Sequence, residues 1–156
     1  EFILEAGTFA QALPRMNNRL LILSPFDNSV IQRERLQTLF QYDYQIECYV
    51  PAAKRQYGYF CLPLLYRGEF IGRMDCKAHR KDRLLEIKSL HLEPRYFKKE
   101  SVSSKFIGGI ESEFENALVE AITRFSQFQA CDSVSLTQAY PKQLTQSLRS
   151  ALKHLA

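Results

Sequence analysis

The side chains of this sequence that could do chemistry are cations, and they are concentrated in one stretch. Residues 51–99 contain 12 Lys and Arg against 5 Asp and Glu, which leaves this stretch with a net charge of +7. The whole chain of 156 residues carries only +4. Charge of one sign gathered in one segment attracts a polyanion more strongly than the same charge spread over the chain. The first functional hypothesis is therefore a surface that binds phosphates.

Two short segments hold most of the cations that we expect to contact a phosphate backbone. The loop Lys54-Arg55-Gln56-Tyr57 places two cations beside an aromatic ring that can stack or form a hydrogen bond. The segment 77–83 has four Lys or Arg and one His, and a basic two-stranded tip can enter a DNA groove or follow its backbone. In both segments the alternative is an ordinary solvated surface. The candidate DNA-binding residues are Lys54, Arg55, Tyr57, Arg73, Lys77, His79, Arg80, Lys81 and Arg83.

The sequence shows no arrangement of residues that is typical of catalysis or of a metal site. The three histidines lie far apart, and no nucleophile motif lies near any of them. The four cysteines form no CxxC pair, so we expect no metal and no cofactor. Asp75 alternates with Arg73 and Lys77, which favours a cross-strand ion pair over a catalytic role.

The composition favours a folded domain without a membrane span. Hydrophobic residues make up 46% of the chain, which is enough for a core, and no run approaches the ~20 apolar residues of a span. The first residues lack the basic and apolar regions of a secretory signal, and reduced thiols suit the cytoplasm. We therefore expect a cytoplasmic monomer. Because the chain opens in mid-pattern on Glu1, we also expect it to be a fragment of a longer protein.

The elements that must position the cations are predicted to begin with short strands and one helix. The apolar run at 20–23 predicts a buried strand, and partial apolar periodicity predicts a helix at 30–41. Alternation over 44–50 predicts a half-buried strand. The nearly apolar run at 60–66 predicts another strand, in which Pro63 requires an edge or a bulge.

Two further strands are predicted to form a basic hairpin, with a turn at 80–82. In the strand at 70–79, the charged residues alternate with small and apolar ones, which predicts a packed face and an exposed row of charge. The strand at 83–92 returns after the short turn, so antiparallel pairing is expected. The predicted row of charge consists of Arg73, Asp75, Lys77 and His79.

Two amphipathic helices are predicted at the C-terminal end, one over 108–129 and one from Pro141. A sheet of about four short strands must close or be covered by other elements. The predicted fold class is α+β, a small antiparallel β-barrel or curled sheet with a short N-terminal helix and two C-terminal amphipathic helices. The predicted domains are a tail or linker over 1–19, a β-rich DNA-binding domain over 20–94, and a connector with the packed helices over 95–156.

A set of short motifs runs through residues 19–94. In chain order they are Ser24-Pro25-Phe26-Asp27, Pro51-Ala52-Ala53-Lys54-Arg55, Tyr57-Gly58-Tyr59, Leu62-Pro63, Gly72-Arg73-Met74-Asp75-Cys76-Lys77 and Leu90-His91-Leu92-Glu93-Pro94. Together they closely resemble the C-terminal region of bacterial winged-helix DNA glycosylases, the AlkZ and YcaQ-like enzymes. The resemblance is strong over 19–94 and weaker from there to residue 156.

The resemblance implies tandem winged helices that end in a small β-barrel and wrap around double-stranded DNA. It makes residues 1–19 the tail of a winged-helix module or a linker. It also implies that the full protein excises alkylated bases or unhooks interstrand crosslinks by hydrolysing the N-glycosidic bond. In this interpretation the Lys and Arg candidates neutralise phosphates, and His79 or Arg80 probes a groove.

The catalytic pair of that family lies in a Gln-apolar-Gln or Gln-apolar-Asp motif of its N-terminal part, which we expect this chain to lack. Gln41-Tyr42-Asp43 and Gln127-Phe128-Gln129 are similar in letters but lie elsewhere in the chain. We therefore assign no catalytic residue and expect the fragment alone to be inactive. The alternatives are a protein-interaction or structural domain whose basic face meets an acidic partner, and a small β-barrel that binds a ligand inside.

Overall fold

The computed structural model describes residues 18–96 and 112–153, which form an α+β fold around one sheet. Five strands lie in the order β1-β2-β3-β4-β5, and the sheet does not close. The predicted fold class is confirmed, as an open sheet with helices rather than a barrel. The strands are β1 (Leu20–Ile22), β2 (Cys61–Tyr66), β3 (Glu69–His79), β4 (Leu84–Leu92) and β5 (Ser133–Tyr140). The helices are α1 (Asn28–Ile31), α2 (Arg33–Phe40), α3 (Ser112–Phe128) and α4 (Leu144–Lys153).

Several predictions concern positions outside the described residues. They are the tail or linker up to residue 17, the connector beyond residue 96, the first turn of the helix predicted from residue 108, and the last apolar position of the C-terminal helix. Within the described ranges the two C-terminal helices lie where the apolar periodicity predicts them. The division of the chain into domains stays a prediction.

The antiparallel part of the sheet consists of β1 to β4, and its first hairpin has a tight turn. Arg67 and Gly68, which join β2 to β3, have φ angles of 50° and 79°, the left-handed pair that a two-residue turn requires. Pro63 of β2 accepts a hydrogen bond from the Leu23 N–H at 2.9 Å, just beyond the last paired residue of β1. Its missing N–H therefore removes no hydrogen bond to β3, and the expected bulge lies next to it, after Leu64.

A second register shift lets β4 keep apolar residues in the core along its whole length. Asp75 pairs with Ser89 but Cys76 pairs with Ile87, so Lys88 is an extra residue on β4. The shift reverses the alternation. Leu85 and Ile87 before it, and Leu90 and Leu92 after it, all lie in one core. A simple alternation of faces therefore does not hold along the whole of β4.

The strand β5 is not predicted by the sequence pattern. It pairs in parallel with β4, and the connection between them contains α3, because parallel neighbours need a long crossover. In β5 only Leu136 and Ala139 are buried, and most other residues are polar. A strand with so weak an apolar pattern carries little signal for prediction.

The sheet is covered on both faces. The main core packs one face against α3 and α4, with Leu62, Met74 and Ile87 among its buried residues. A smaller cluster on the other face joins Cys61 and Phe70 to α1, α2 and the segment that follows them. Since both faces of β2 are covered, its sequence is a nearly continuous apolar run.

The covering segment on the second face differs from its prediction. The helix predicted at 30–41 is divided at Gln32, whose extended backbone separates α1 from α2. The strand predicted at 44–50 is wrong, because this segment is irregular. Its alternating residues serve other purposes: the Tyr44 ring stacks on Tyr42 at 5.9 Å, and Glu47 binds a loop.

Candidate nucleic-acid interface

The charged row of β3 lies on one face as predicted, but half of it is buried. Met74, Cys76 and Ala78 face the main core, so the charged residues between them face the opposite side. On that side Arg73 is 3% exposed and Asp75 is 6% exposed. The prediction of an exposed row of charge is therefore wrong for these two residues, because residues 41–60 cover the first half of the strand. Further along this side of β3, Lys77 is exposed and His79 is half-buried.

Arg73 is the centre of a buried polar and aromatic cluster. Its guanidinium donates hydrogen bonds to the Asp43 carbonyl and to the Glu93 carboxylate, both at 2.8 Å. It also lies over the rings of Tyr57, at 4.0 Å from the centroid, and Tyr42, at 4.8 Å. A planar, permanently charged group is well suited to this role, since it can pair and stack at once. We therefore leave Arg73 out of the interface.

Glu47 holds the loop that contains the first pair of candidate cations. Its carboxylate is buried, since the residue is 7% exposed. Burial by itself would raise the pKa of this carboxyl, but backbone N–H bonds and the Arg73 charge outweigh burial and lower the pKa below its usual range. The three N–H groups bind it at 2.7, 2.8 and 3.0 Å and belong to Gln56, Tyr57 and Gly58.

Asp75 holds the next two residues of the same loop. Its carboxylate accepts the N–H groups of Tyr59, at 3.1 Å, and Phe60, at 3.3 Å. The predicted ion pair of Asp75 with its charged neighbours is not among the ion pairs of the described residues. Gly58 fits this arrangement because of its φ of 153° and because a Cβ there would lie 2.4 Å from Asp75 Oδ2.

The outer side of this loop carries exposed rings and cations. Arg55 Nε donates to the carbonyls of Val50, at 2.9 Å, and Glu47, at 3.2 Å, and its guanidinium lies 4.9 Å from the Tyr59 ring centroid. Lys54 is exposed. Tyr59 is 52% exposed, and Tyr49, in the turn that precedes the loop, is 87% exposed. We name Tyr49, Lys54, Arg55 and Tyr59 the loop patch.

Tyr57, the aromatic candidate of the sequence analysis, faces inward. Its ring lies under Arg73 and meets the His91 ring edge-on at 5.2 Å. Its carbonyl accepts a hydrogen bond from the Ser89 hydroxyl at 2.8 Å. The exposed rings of this region are instead those of Tyr49 and Tyr59, which sequence reasoning missed. The neighbouring motif Tyr57-Gly58-Tyr59 gives no local indication of which ring points outward.

The second candidate segment is the tip of the β3–β4 hairpin. Arg80 and Lys81 are exposed in the turn, and Lys77 is exposed near the end of β3. The described residues contain no carboxylate paired with any of these three cations. The other two candidates have acidic partners, since His79 Nε2 lies 2.8 Å from Glu86 Oε2, and Arg83 pairs with Asp132. We name Lys77, His79, Arg80 and Lys81 the hairpin patch.

The two patches adjoin on the same face of the sheet. The loop is bound to Asp75, and Lys77 follows on the same side two residues along β3, a spacing of roughly 7 Å. On this face the carboxylates of Glu47 and Asp75 are buried, whereas Glu86, opposite Lys77, and Asp82 in the turn lie at the surface. Such an arrangement can bind a polyanion along the face.

The two look-alikes of the family's catalytic motif lie at different places in the fold. Tyr42 is buried, and its hydroxyl donates to the Gly72 carbonyl at 2.8 Å, while the Asp43 carbonyl binds Arg73. Residues 127–129 lie at the end of α3, where the helix stops. Within residues 18–96 and 112–153, no group of His, Cys, Asp and Glu could hold a metal ion.

A family model described as DNA glycosylase AlkZ-like matches residues 1–128. The chain belongs to the AlkZ-like DNA glycosylase family. The resemblance drawn from the motifs is thereby confirmed. Membership in the AlkZ-like family relates the chain to DNA repair by glycosylases, which are hydrolases, and makes DNA its partner. No solved structure matches the chain. None of the helices in the described part of this AlkZ-like chain has the length and apolar character needed to cross a membrane.

Proposed function

We propose that this chain is a DNA-holding part of a winged-helix glycosylase that excises alkylated bases or unhooks interstrand crosslinks. The observation that carries the proposal is the shared face of the loop patch and the hairpin patch, on which Lys54, Lys77, Arg80 and Lys81 are exposed while the carboxylates of Glu47 and Asp75 are buried. The catalytic pair belongs to another part of the full protein, and the chain acts as a wall of the channel for double-stranded DNA.

The contacts proposed here differ in strength among the candidates. Lys54, Lys77, Arg80 and Lys81 are exposed, and we assign them to phosphates. Arg55 is half-buried and bound to two carbonyls, so it presents only part of its guanidinium. Arg83 is held by Asp132 and contributes less positive potential than its position in the sequence suggests.

Such contacts serve the chemistry without taking part in it. A damaged base must leave the stack before its N-glycosidic bond can be attacked, and this requires that the flanking duplex be held in register. Contacts to phosphate fix register and orientation without reading sequence. A surface of cations on a rigid sheet supplies this function, and His79 or Arg80 at the tip is positioned to probe a groove.

The test is the salt dependence of binding to duplex DNA. The double variant Arg80→Ala/Lys81→Ala should lower the slope of log Kd against log salt by about 1.8, because each phosphate contact contributes about 0.9. A matched control is Lys142→Ala/Lys153→Ala, which removes two exposed cations near α4, on the other side of the sheet. We expect the control to keep the original slope.

Two results would reject the proposal. The first is an unchanged slope in the hairpin variant, and the second is an equal reduction in the control. Titration with an acidic protein under the same conditions tests the alternative of an acidic protein partner. That alternative predicts that the chain binds the acidic protein more tightly than DNA of similar charge.

A further inference from the structure

Five consecutive backbone N–H groups of the loop bind carboxylates of the protein itself. Residues 56–58 donate to Glu47, and residues 59 and 60 donate to Asp75. Successive N–H groups that converge in this way form a concave site for an anion. Here the anions are two side-chain carboxylates, one from the turn before the loop and one from the middle of β3. Each carboxylate binds one half of the loop.

Glu47 also fixes the turn that carries Tyr49. The Val50 N–H donates to the Glu47 carbonyl at 3.0 Å, and Arg55 Nε binds that carbonyl together with the carbonyl of Val50. Arg55 in turn lies under the ring of Tyr59. Glu47 therefore holds residues 56–58 through its carboxylate, and through its carbonyl it holds Arg55 and the turn that carries Tyr49.

We propose that Glu47 and Asp75 are positioning residues that hold the loop patch in its DNA-binding arrangement before DNA arrives. This inference rests on the proposed function. Ordering a flexible side chain on binding lowers affinity, and a loop that is already ordered avoids this loss. Because both carboxylates are buried beneath the loop, their negative charge supports the patch while lying away from the polyanion.

The decisive variant is Glu47→Gln, because the two possible effects of this change have opposite signs. Loss of a negative charge near the interface should by itself tighten binding to DNA. Loss of the anchor should weaken it, since the amide keeps one acceptor oxygen and turns an NH2 group toward backbone donors. We expect binding about tenfold weaker, with the salt slope unchanged because every cation is retained.

The matched control is Asp132→Asn. It removes the same charge close to the interface but touches Arg83 and no part of the loop. We expect its binding to DNA to be unchanged or tighter. Amide hydrogen exchange supplies a second readout. In Glu47→Gln the amides of residues 56–58 should lose protection, whereas those of β3 and β4 should keep theirs.

The outcomes separate this inference from the proposed function. If Lys54→Ala and the hairpin double variant leave DNA binding unchanged, the proposed function fails. If they weaken binding but Glu47→Gln binds as tightly as the original protein, the positioning role is excluded. Should Glu47→Gln be unfolded at the assay temperature, Asp75→Asn is subjected to the same measurement, with residues 59 and 60 as the amides that lose protection.

Discussion

The loop patch and the hairpin patch are both basic in sequence, but the fold builds them in different ways. In the loop, buried carboxylates bind the backbone and the cations stand among exposed rings. At the hairpin tip the backbone is held by the strand ladder, and the acidic partners, Glu86 and Asp132, lie at the surface beside the cations. An acidic residue near a basic patch can therefore either support the patch or neutralise it, depending on whether the acidic residue is buried.

A second contrast lies within β3 itself. Arg73 and Lys77 are four residues apart on the same face, yet the first is enclosed by tyrosines and paired with Glu93, and the second is exposed. The difference arises because the covering segment ends between them. The local geometry of a strand thus sets the face on which a residue lies, whereas distant segments decide whether that residue is exposed.

The largest loss of stability is expected for Gly58→Ala, which disrupts the loop. The new Cβ would meet Asp75 Oδ2 at 2.4 Å, at a φ of 153° that side chains rarely adopt, so we expect a loss of about 3 kcal/mol in unfolding free energy. Gly68→Ala, in the β2–β3 turn at φ 79°, needs only the left-handed conformation and should lose about 1 kcal/mol. Urea denaturation measures both. Equal losses would contradict the tight fit of Gly58 against Asp75.

The next prediction concerns two cations of β3, Arg73 and Lys77, and compares the stability of their Met variants. Arg73→Met leaves the Glu93 carboxylate without its buried partner and should lower stability by about 3 kcal/mol. Lys77→Met should change stability by less than about 0.5 kcal/mol. The salt slope for DNA should respond in the reverse order, unchanged in Arg73→Met and lower by about 0.9 in Lys77→Met. A lower slope in Arg73→Met would return this residue to the interface.

A smaller effect is expected from acid. The pKa of Glu47 is lower in the folded protein than its ordinary value, so its contribution to stability is complete above that ordinary value, 4.5, and is lost as the pH falls through the folded pKa. The loop should therefore loosen below about pH 4.5, before the rest of the sheet. Thermal midpoints measured from pH 6 to pH 3 should decline less steeply in Glu47→Gln. Parallel declines would show that Glu47 does not contribute to the acid sensitivity.

The smallest effect concerns a thiol beside the loop. Burial raises the pKa of Cys61, the residue after Phe60, to about 12, so alkylation at neutral pH should be slow. Loosening the loop in Glu47→Gln should speed the labelling of Cys61, while Cys131, in the core on the other face, keeps its rate. Mass spectrometry of the labelled peptides measures both rates. Faster labelling of both cysteines would indicate general unfolding rather than loop opening.

Much of the fold follows from local patterns in the sequence. Alternation and apolar runs predict β1 to β4, and periodicities of three and four residues predict the two C-terminal helices, because these patterns are set by backbone geometry. The motifs of residues 19–94 also lead to the correct family. The cations at 77–81 are exposed as expected of a hairpin tip, although their contacts with DNA stay a prediction.

What the sequence by itself determined is which residues share a face and where charge accumulates. Only the tertiary structure decided which parts of those faces are covered: Arg73 and Asp75 are buried under residues 41–60, and within that segment Tyr57 faces inward while Tyr49 and Tyr59 face outward. The tertiary structure also shows β5, whose own sequence has only a weak apolar pattern and which is stabilised by pairing with β4. The physical reason is the same in each case. Burial and strand pairing depend on residues distant in the chain, and no local pattern carries that information.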